Sequence, residues 1–135
     1  GEGVDEIDAE PFVPNATILC YPVIVCPDES EVGHWWSYNN LTGDENYDFT
    51  KLSPELLVSD DTPTAFIWHT SEDPGVNVIN SYRYAEALRM HGIAHEMHVF
   101  PYGGHGMGLA DGDKHVAQWS GLLKNWFNAL GWLKD

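Results

Sequence analysis

Thr64-Ala65-Phe66-Ile67-Trp68-His69-Thr70-Ser71-Glu72-Asp73-Pro74-Gly75-Val76 decides how this chain is read. The near-continuous apolar run from Thr64 to His69 follows Pro63 and predicts a strand buried in a sheet. The polar loop after it carries Glu72 and Asp73, of which Asp73 stands out just beyond the strand's carboxyl end. Downstream, Val78, Tyr82, Ala85 and Leu88 recur at helical spacing, and Gly92 stands where a helix terminus favours glycine, so a helix is expected over about 78–91. Residues 94–100 (Ala-His-Glu-Met-His-Val-Phe) alternate ahead of Pro101 and predict another strand. Val116, Trp119, Leu122, Leu123, Trp126, Phe127 and Leu130 then mark an amphipathic helix from near Asp113 to before Gly131. Upstream, residues 16–25 (Ala-Thr-Ile-Leu-Cys-Tyr-Pro-Val-Ile-Val) form a third apolar run, expected as a strand buried on both faces with Pro22 marking its end. Strand, helix, strand and helix joined by short loops imply right-handed crossover and parallel pairing. The expected fold class is α/β: a three-stranded, mostly parallel sheet flanked by helices.

In such sheets chemistry gathers at the carboxyl ends of the strands. Two neighbouring loops emerge there. One carries Asp73. The other, Phe100-Pro101-Tyr102-Gly103-Gly104-His105-Gly106-Met107-Gly108, frames His105 with glycines that let the backbone turn tightly. Taken alone, Asp73 reads as a turn or capping residue before Pro74, and His105 is equally ambiguous. Side by side, the two have the makings of an acid and base pair. The carboxylate holds one imidazole nitrogen and stabilises the imidazolium formed when the other nitrogen takes a proton from a serine.

The combination of His69-x-x-x-Asp73-x-x-Val76, the helix from Ser81 to Leu88 and Phe100-Pro101-x-Gly103-Gly104-His105-Gly106 resembles the end of α/β-hydrolases related to acetyl esterases and dienelactone hydrolases. Leu19-Cys20-Tyr21-Pro22-Val23-Ile24 and Leu52-Ser53-Pro54-Glu55 fit the same group. The resemblance covers roughly residues 14–133. It implies a partial α/β-hydrolase fold, with the three strands standing for the last three of the family sheet. It also implies that Asp73 is the triad acid and His105 the triad base of a serine-type carboxylic ester hydrolase. Its substrate would be a small acyl or acetyl ester, those of carbohydrates included, and it would use no cofactor. One part of the family pattern is missing: none of Ser30, Ser37, Ser53, Ser59, Ser71, Ser81 and Ser120 lies in a Gly-x-Ser-x-Gly elbow. The resemblance therefore implies an acid and a base without their nucleophile and oxyanion hole, and a chain inactive on its own. The strand at 16–25 would lack the neighbour that bears the serine, leaving an apolar edge open to self-association or to a missing N-terminal half.

Composition narrows the partners. Twenty-one acidic against six basic residues give a formal charge of -15, which repels phosphate backbones and anionic membrane surfaces. Nucleic acid and membrane are not expected as partners. Glu2, Asp5, Glu6, Asp8 and Glu10 crowd the start, so residues 1–13 are expected as an acidic loop or tail and 14–135 as the hydrolase portion. No apolar stretch is long enough for a membrane span and no signal-peptide pattern opens the chain, which gives a cytoplasmic expectation. Cys20 and Cys26 have no zinc-ligand spacing, and Cys20 is expected as a core thiol. Six of the histidines (His34, His69, His91, His95, His98 and His105) raise metal chemistry as a rival, but His95 and His98 fall on opposite strand faces and no paired helical spacing exists, so no metal site is expected. The interval 26–61 is expected as an irregular excursion with a weak helical segment near 50–57. In it His34 and Trp35, like Met107 beside His105, are candidates for lining a substrate pocket. The rival to an enzyme is a non-catalytic interaction module or oligomerising fragment that uses the exposed sheet edge.

Overall fold

The computed structural model describes residues 13–27 and 32–133. The expected acidic tail, 1–13, lies outside them apart from Val13. Three strands, β1 (Ala16–Cys20), β2 (Thr64–Thr70) and β3 (His95–Phe100), form one parallel sheet in the order β1-β2-β3. Helices α1 (Trp35–Thr42), α2 (Ile79–Met90) and α3 (Trp119–Ala129) complete the chain, with short 3-10 turns at Phe49–Leu52, Pro54–Leu56 and Val116–Gln118.

The central position of β2 explains its unbroken apolar sequence. Alternate side chains point to opposite faces. Ala65 and Ile67 pack with Tyr84, Ala85 and Leu88 of α2, whereas Phe66 and Trp68 pack with Val116, Trp119 and Trp126 on the α3 side. Trp68 and Trp119 stack with ring centroids 5.1 Å apart. Each fully buried large apolar side chain in these layers contributes about 1.5–3 kcal/mol through removal from water. On the α3 side Asp113 starts the helical run, its Oδ1 accepting hydrogen bonds from the His115 and Val116 amides at 2.9 and 3.1 Å.

Three expectations need correction. The first strand ends at Cys20, just before the Pro22 expected to mark its end, but it is half-buried rather than enclosed, with Ile18 43% exposed. Its neighbour Tyr21 has φ 41°, in the left-handed region, and donates its amide to Trp68 O at 2.8 Å before the chain turns off the sheet at Pro22. The apolar run continues as a buried loop. Ile24 and Val25 are buried, and both their amides donate to Asn80 Oδ1 of α2 at 2.8 Å. Asn80 Nδ2 in turn donates to the carbonyls of Val32 and Asn77, each at 2.9 Å. The second correction is in α2 itself: Tyr82 is exposed, and the buried face consists of Asn80, Ser81, Tyr84, Ala85 and Leu88. Asn80 and Ser81 are buried because their polar groups are paired, a circumstance that hydrophobic spacing does not reveal. The third correction is α1, a two-turn helix within the expected irregular excursion. It closes at Gly43, where φ is 66° and the amide donates to Asn39 O. Tyr38, its one buried residue, anchors it by donating to Ile24 O.

Candidate active site

The loops that follow β2 and β3 are joined to each other before any side-chain chemistry is considered. The Ser71 amide donates to Phe100 O at 2.8 Å, and Thr70 Oγ1 donates to Gly103 O at 3.1 Å. Gly103 has φ 137°, and a Cβ there would lie 2.8 Å from Thr70 Cγ2 and 2.9 Å from Met107 Sδ. Only glycine satisfies both the conformation and the space.

Within this frame Asp73 is held from all sides. Its Oδ1 accepts from the Gly75 and Val76 amides at 2.8 and 2.9 Å. Its Oδ2 lies 2.8 Å from His105 Nδ1 and 3.2 Å from His69 Nε2. The carboxylate is fully buried, whereas the His105 side chain is 42% exposed. Burial pushes the Asp73 pKa up, but the Val76 amide, the His105 ring and the Gly75 amide more than offset it, and the net pKa falls below the ordinary carboxylate value. Asp73 is therefore ionised, and His105 carries its proton on Nδ1 toward it. Among the described residues His105 Nε2 has no hydrogen-bond partner. This leaves a basic nitrogen facing outward, steadied from behind by an anion.

Two further residues shape the pair. The Tyr21 ring packs edge-on against His105, centroids 4.8 Å apart, and against Trp68 at 5.0 Å, while its hydroxyl accepts from the Gly108 amide at 3.3 Å. Gly75 lets the acid loop pass close beneath the imidazole: a Cβ there would sit 3.2 Å from His105 Cβ and Cγ. Neither carries a signal in the sequence beyond the glycine beside Pro74 and the tyrosine beside Pro22.

The structure does not bring the other candidates to this pair in the same way. His34 Nδ1 bonds Ser37 Oγ at 2.8 Å, and Trp35 packs edge-on against Trp36; among the described residues these contacts stay within their own segment. Met107 is partly buried and packs against the α3-side core, with its sulfur close to Gly103. Among the described residues no group of three His, Cys, Asp or Glu side chains is placed to hold a metal ion, and no helix is long and apolar enough to cross a membrane.

The sequence profile of the prolyl oligopeptidase family matches residues 26–130, which takes in both loops. The chain belongs to the prolyl oligopeptidase family. An acetylxylan esterase of Xylanibacter ruminicola is 33% identical over 123 residues, covering 87% of this chain and 25% of the relative. A protein named endo-1,4-beta-xylanase B, from Butyrivibrio fibrisolvens, is 42% identical over 110 residues, covering 80% of this chain and 17% of its own length. Among solved structures, an acetyl ester-xyloside bifunctional hydrolase from Caldicellulosiruptor lactoaceticus superimposes with a TM-score of 0.82 at 40% identity, over 90% of this chain and 44% of the other. A carboxylesterase from Lactobacillus plantarum gives a TM-score of 0.74 at 27% identity, over 90% and 46%. The chain thus spans a quarter or less of the curated relatives and less than half of these solved structures, and its fold is a partial α/β-hydrolase fold.

Proposed function

We propose that this chain supplies the acid, Asp73, and the base, His105, of a serine-type carboxylic ester hydrolase. The observation that carries the reading is the 2.8 Å contact between a buried, ionised Asp73 carboxylate and Nδ1 of a half-exposed His105. A serine supplied from outside these residues attacks the ester carbonyl as His105 Nε2 takes its proton. The imidazolium, stabilised by Asp73, passes that proton to the leaving alcohol, and water repeats the sequence on the acyl-enzyme. The substrate class is a small acyl ester. The esterase and xylan-related names of the relatives support acetyl groups on a carbohydrate.

The reading makes the chain inert alone, because it contains neither nucleophile elbow nor oxyanion hole. Intact-mass analysis after exposure to a fluorophosphonate probe tests this, with no adduct expected. An adduct on any of its serines would mean that the nucleophile lies within the chain. The positive arm is p-nitrophenyl acetate hydrolysis by a longer polypeptide that joins these residues to an elbow. Hydrolysis there that is indifferent to His105→Ala would sink the assignment of the base.

A further inference from the structure

One buried titratable group has no part in the mechanism above. His69 lies at the end of β2 on the α2 side of the sheet and exposes no surface. Its Nε2 is 3.0 Å from Val76 O and 3.2 Å from Asp73 Oδ2, and its Nδ1 is 2.7 Å from Ser81 Oγ on α2. A carbonyl oxygen only accepts, so Nε2 carries the proton; Nδ1 then accepts from the Ser81 hydroxyl. Burial lowers the His69 pKa against the opposing pull of Val76 O and Asp73, which favours the neutral ring at neutral pH.

We propose that His69 is a positioning residue for the acid: its Nε2–H, shared between Val76 O and Asp73 Oδ2, holds the carboxylate so that Oδ2 remains aimed at His105 Nδ1. The inference rests on reading Asp73 and His105 as acid and base. Two amides hold Oδ1, whereas among the described residues the imidazole nitrogens nearest Oδ2 are His105 Nδ1 at 2.8 Å and His69 Nε2 at 3.2 Å. When the His105 ring shifts during proton transfer, His69 is the donor that stays. Ser81 stands one step further back, its hydroxyl donating to the unprotonated Nδ1 of His69, so the line of contacts runs from α2 through the end of β2 to the exposed imidazole.

Imidazole-nitrogen-labelled chain, examined by two-bond nitrogen–proton NMR at neutral pH, tests the proposal without catalytic turnover. His69 is expected neutral with its proton on Nε2, and His105, when neutral, with its proton on Nδ1. His69→Leu is expected to abolish the Nδ1–H preference of His105. His69→Gln, whose side-chain amide reaches the position of Nε2, is expected to retain it. A folded His69→Leu chain in which His105 keeps the Nδ1–H tautomer overturns the proposal. If His69→Leu does not fold, the unsubstituted chain decides, because a proton on His69 Nδ1 with a bare Nε2 overturns it equally. The two readings fail differently: ester hydrolysis independent of His105 leaves these tautomers unchanged, whereas the wrong His69 tautomer leaves dependence on His105 intact.

Discussion

The β2–β3 half of the molecule and the excursion between β1 and β2 are built on different principles. In the first, each element follows from nearby residues: strands bounded by prolines, helices with periodic faces and loops short enough that Asp73 and His105 meet where two adjacent strands end. In the second, order comes from single side chains reaching across long stretches of chain. Asn80 takes the Ile24 and Val25 amides, Ser53 Oγ takes the Cys26 amide at 2.8 Å, and Tyr38 ties α1 to Ile24 O. Local order supports the chemistry, whereas long-range polar anchors support the wrapping.

The largest expected effect lies in the locally built half. In a polypeptide that supplies the serine, His105→Ala and Asp73→Asn should each lower kcat by roughly 10⁴-fold, the scale on which acid and base residues act in triads. Asp73→Asn removes the charge that stabilises the imidazolium and, with its one oxygen held by the Gly75 and Val76 amides, turns an NH2 donor toward His105 Nδ1, which favours the wrong tautomer. Circular dichroism should stay unchanged, because the Gly75 and Val76 amides still find an oxygen. A loss of tenfold or less with an intact fold would separate this pair from the chemistry and leave it a structural contact.

The wrapped half should respond in stability instead. Asn80→Ala strands two buried amides, and each unsatisfied buried group costs about 1–3 kcal/mol, so the urea midpoint should fall sharply although no apolar contact is lost. A shift under ~0.5 kcal/mol would show that Ile24 and Val25 are not held by this anchor. The same residue explains what could be read from the sequence and what could not. The three strands, α2, α3 and the juxtaposition of Asp73 with His105 follow from periodicity and strand-end placement. Pro22 marks the end of β1 as well, but the burial of Ile24 and Val25 in a loop does not follow, because the side chain that satisfies their amides lies some fifty-five positions away. Helix α1 was equally hidden, having one buried residue and no apolar stripe. Tyr21 was hidden because its left-handed backbone and its contact with His105 both arise from the turn off the sheet.

Acid offers a way to sharpen the contrast by titration. His69 and Asp73 both have folded-state pKa values below their ordinary 6.5 and 3.8. The folded chain therefore binds these protons less tightly than the unfolded one, and acid favours unfolding. The His69 contribution is complete above pH 6.5 and is lost as pH falls below it; that of Asp73 is lost only below 3.8. Asp73 and His105 are the charged or titratable groups that act on the His69 ring. Urea unfolding across this range should show stability declining first through the His69 window, and His69→Gln should remove that decline while sparing the Asp73 one. An unchanged profile in His69→Gln would assign the early decline to another group.

The smallest effect belongs to the aromatic surface of α1. Trp36 is 65% exposed and meets Trp35 edge-on with centroids 5.0 Å apart. If the wrapping depends on Asn80, Ser53 and Tyr38, then Trp36→Ser should change stability by less than ~0.5 kcal/mol, as surface substitutions away from packed features do. The edge-on contact itself is worth about 0.5–1.5 kcal/mol where the rings are desolvated, and less where water reaches one of them. A loss of 2 kcal/mol or more would place Trp36 among the anchors, and the excursion would then be held by an apolar cluster on its surface as much as by polar ties beneath it.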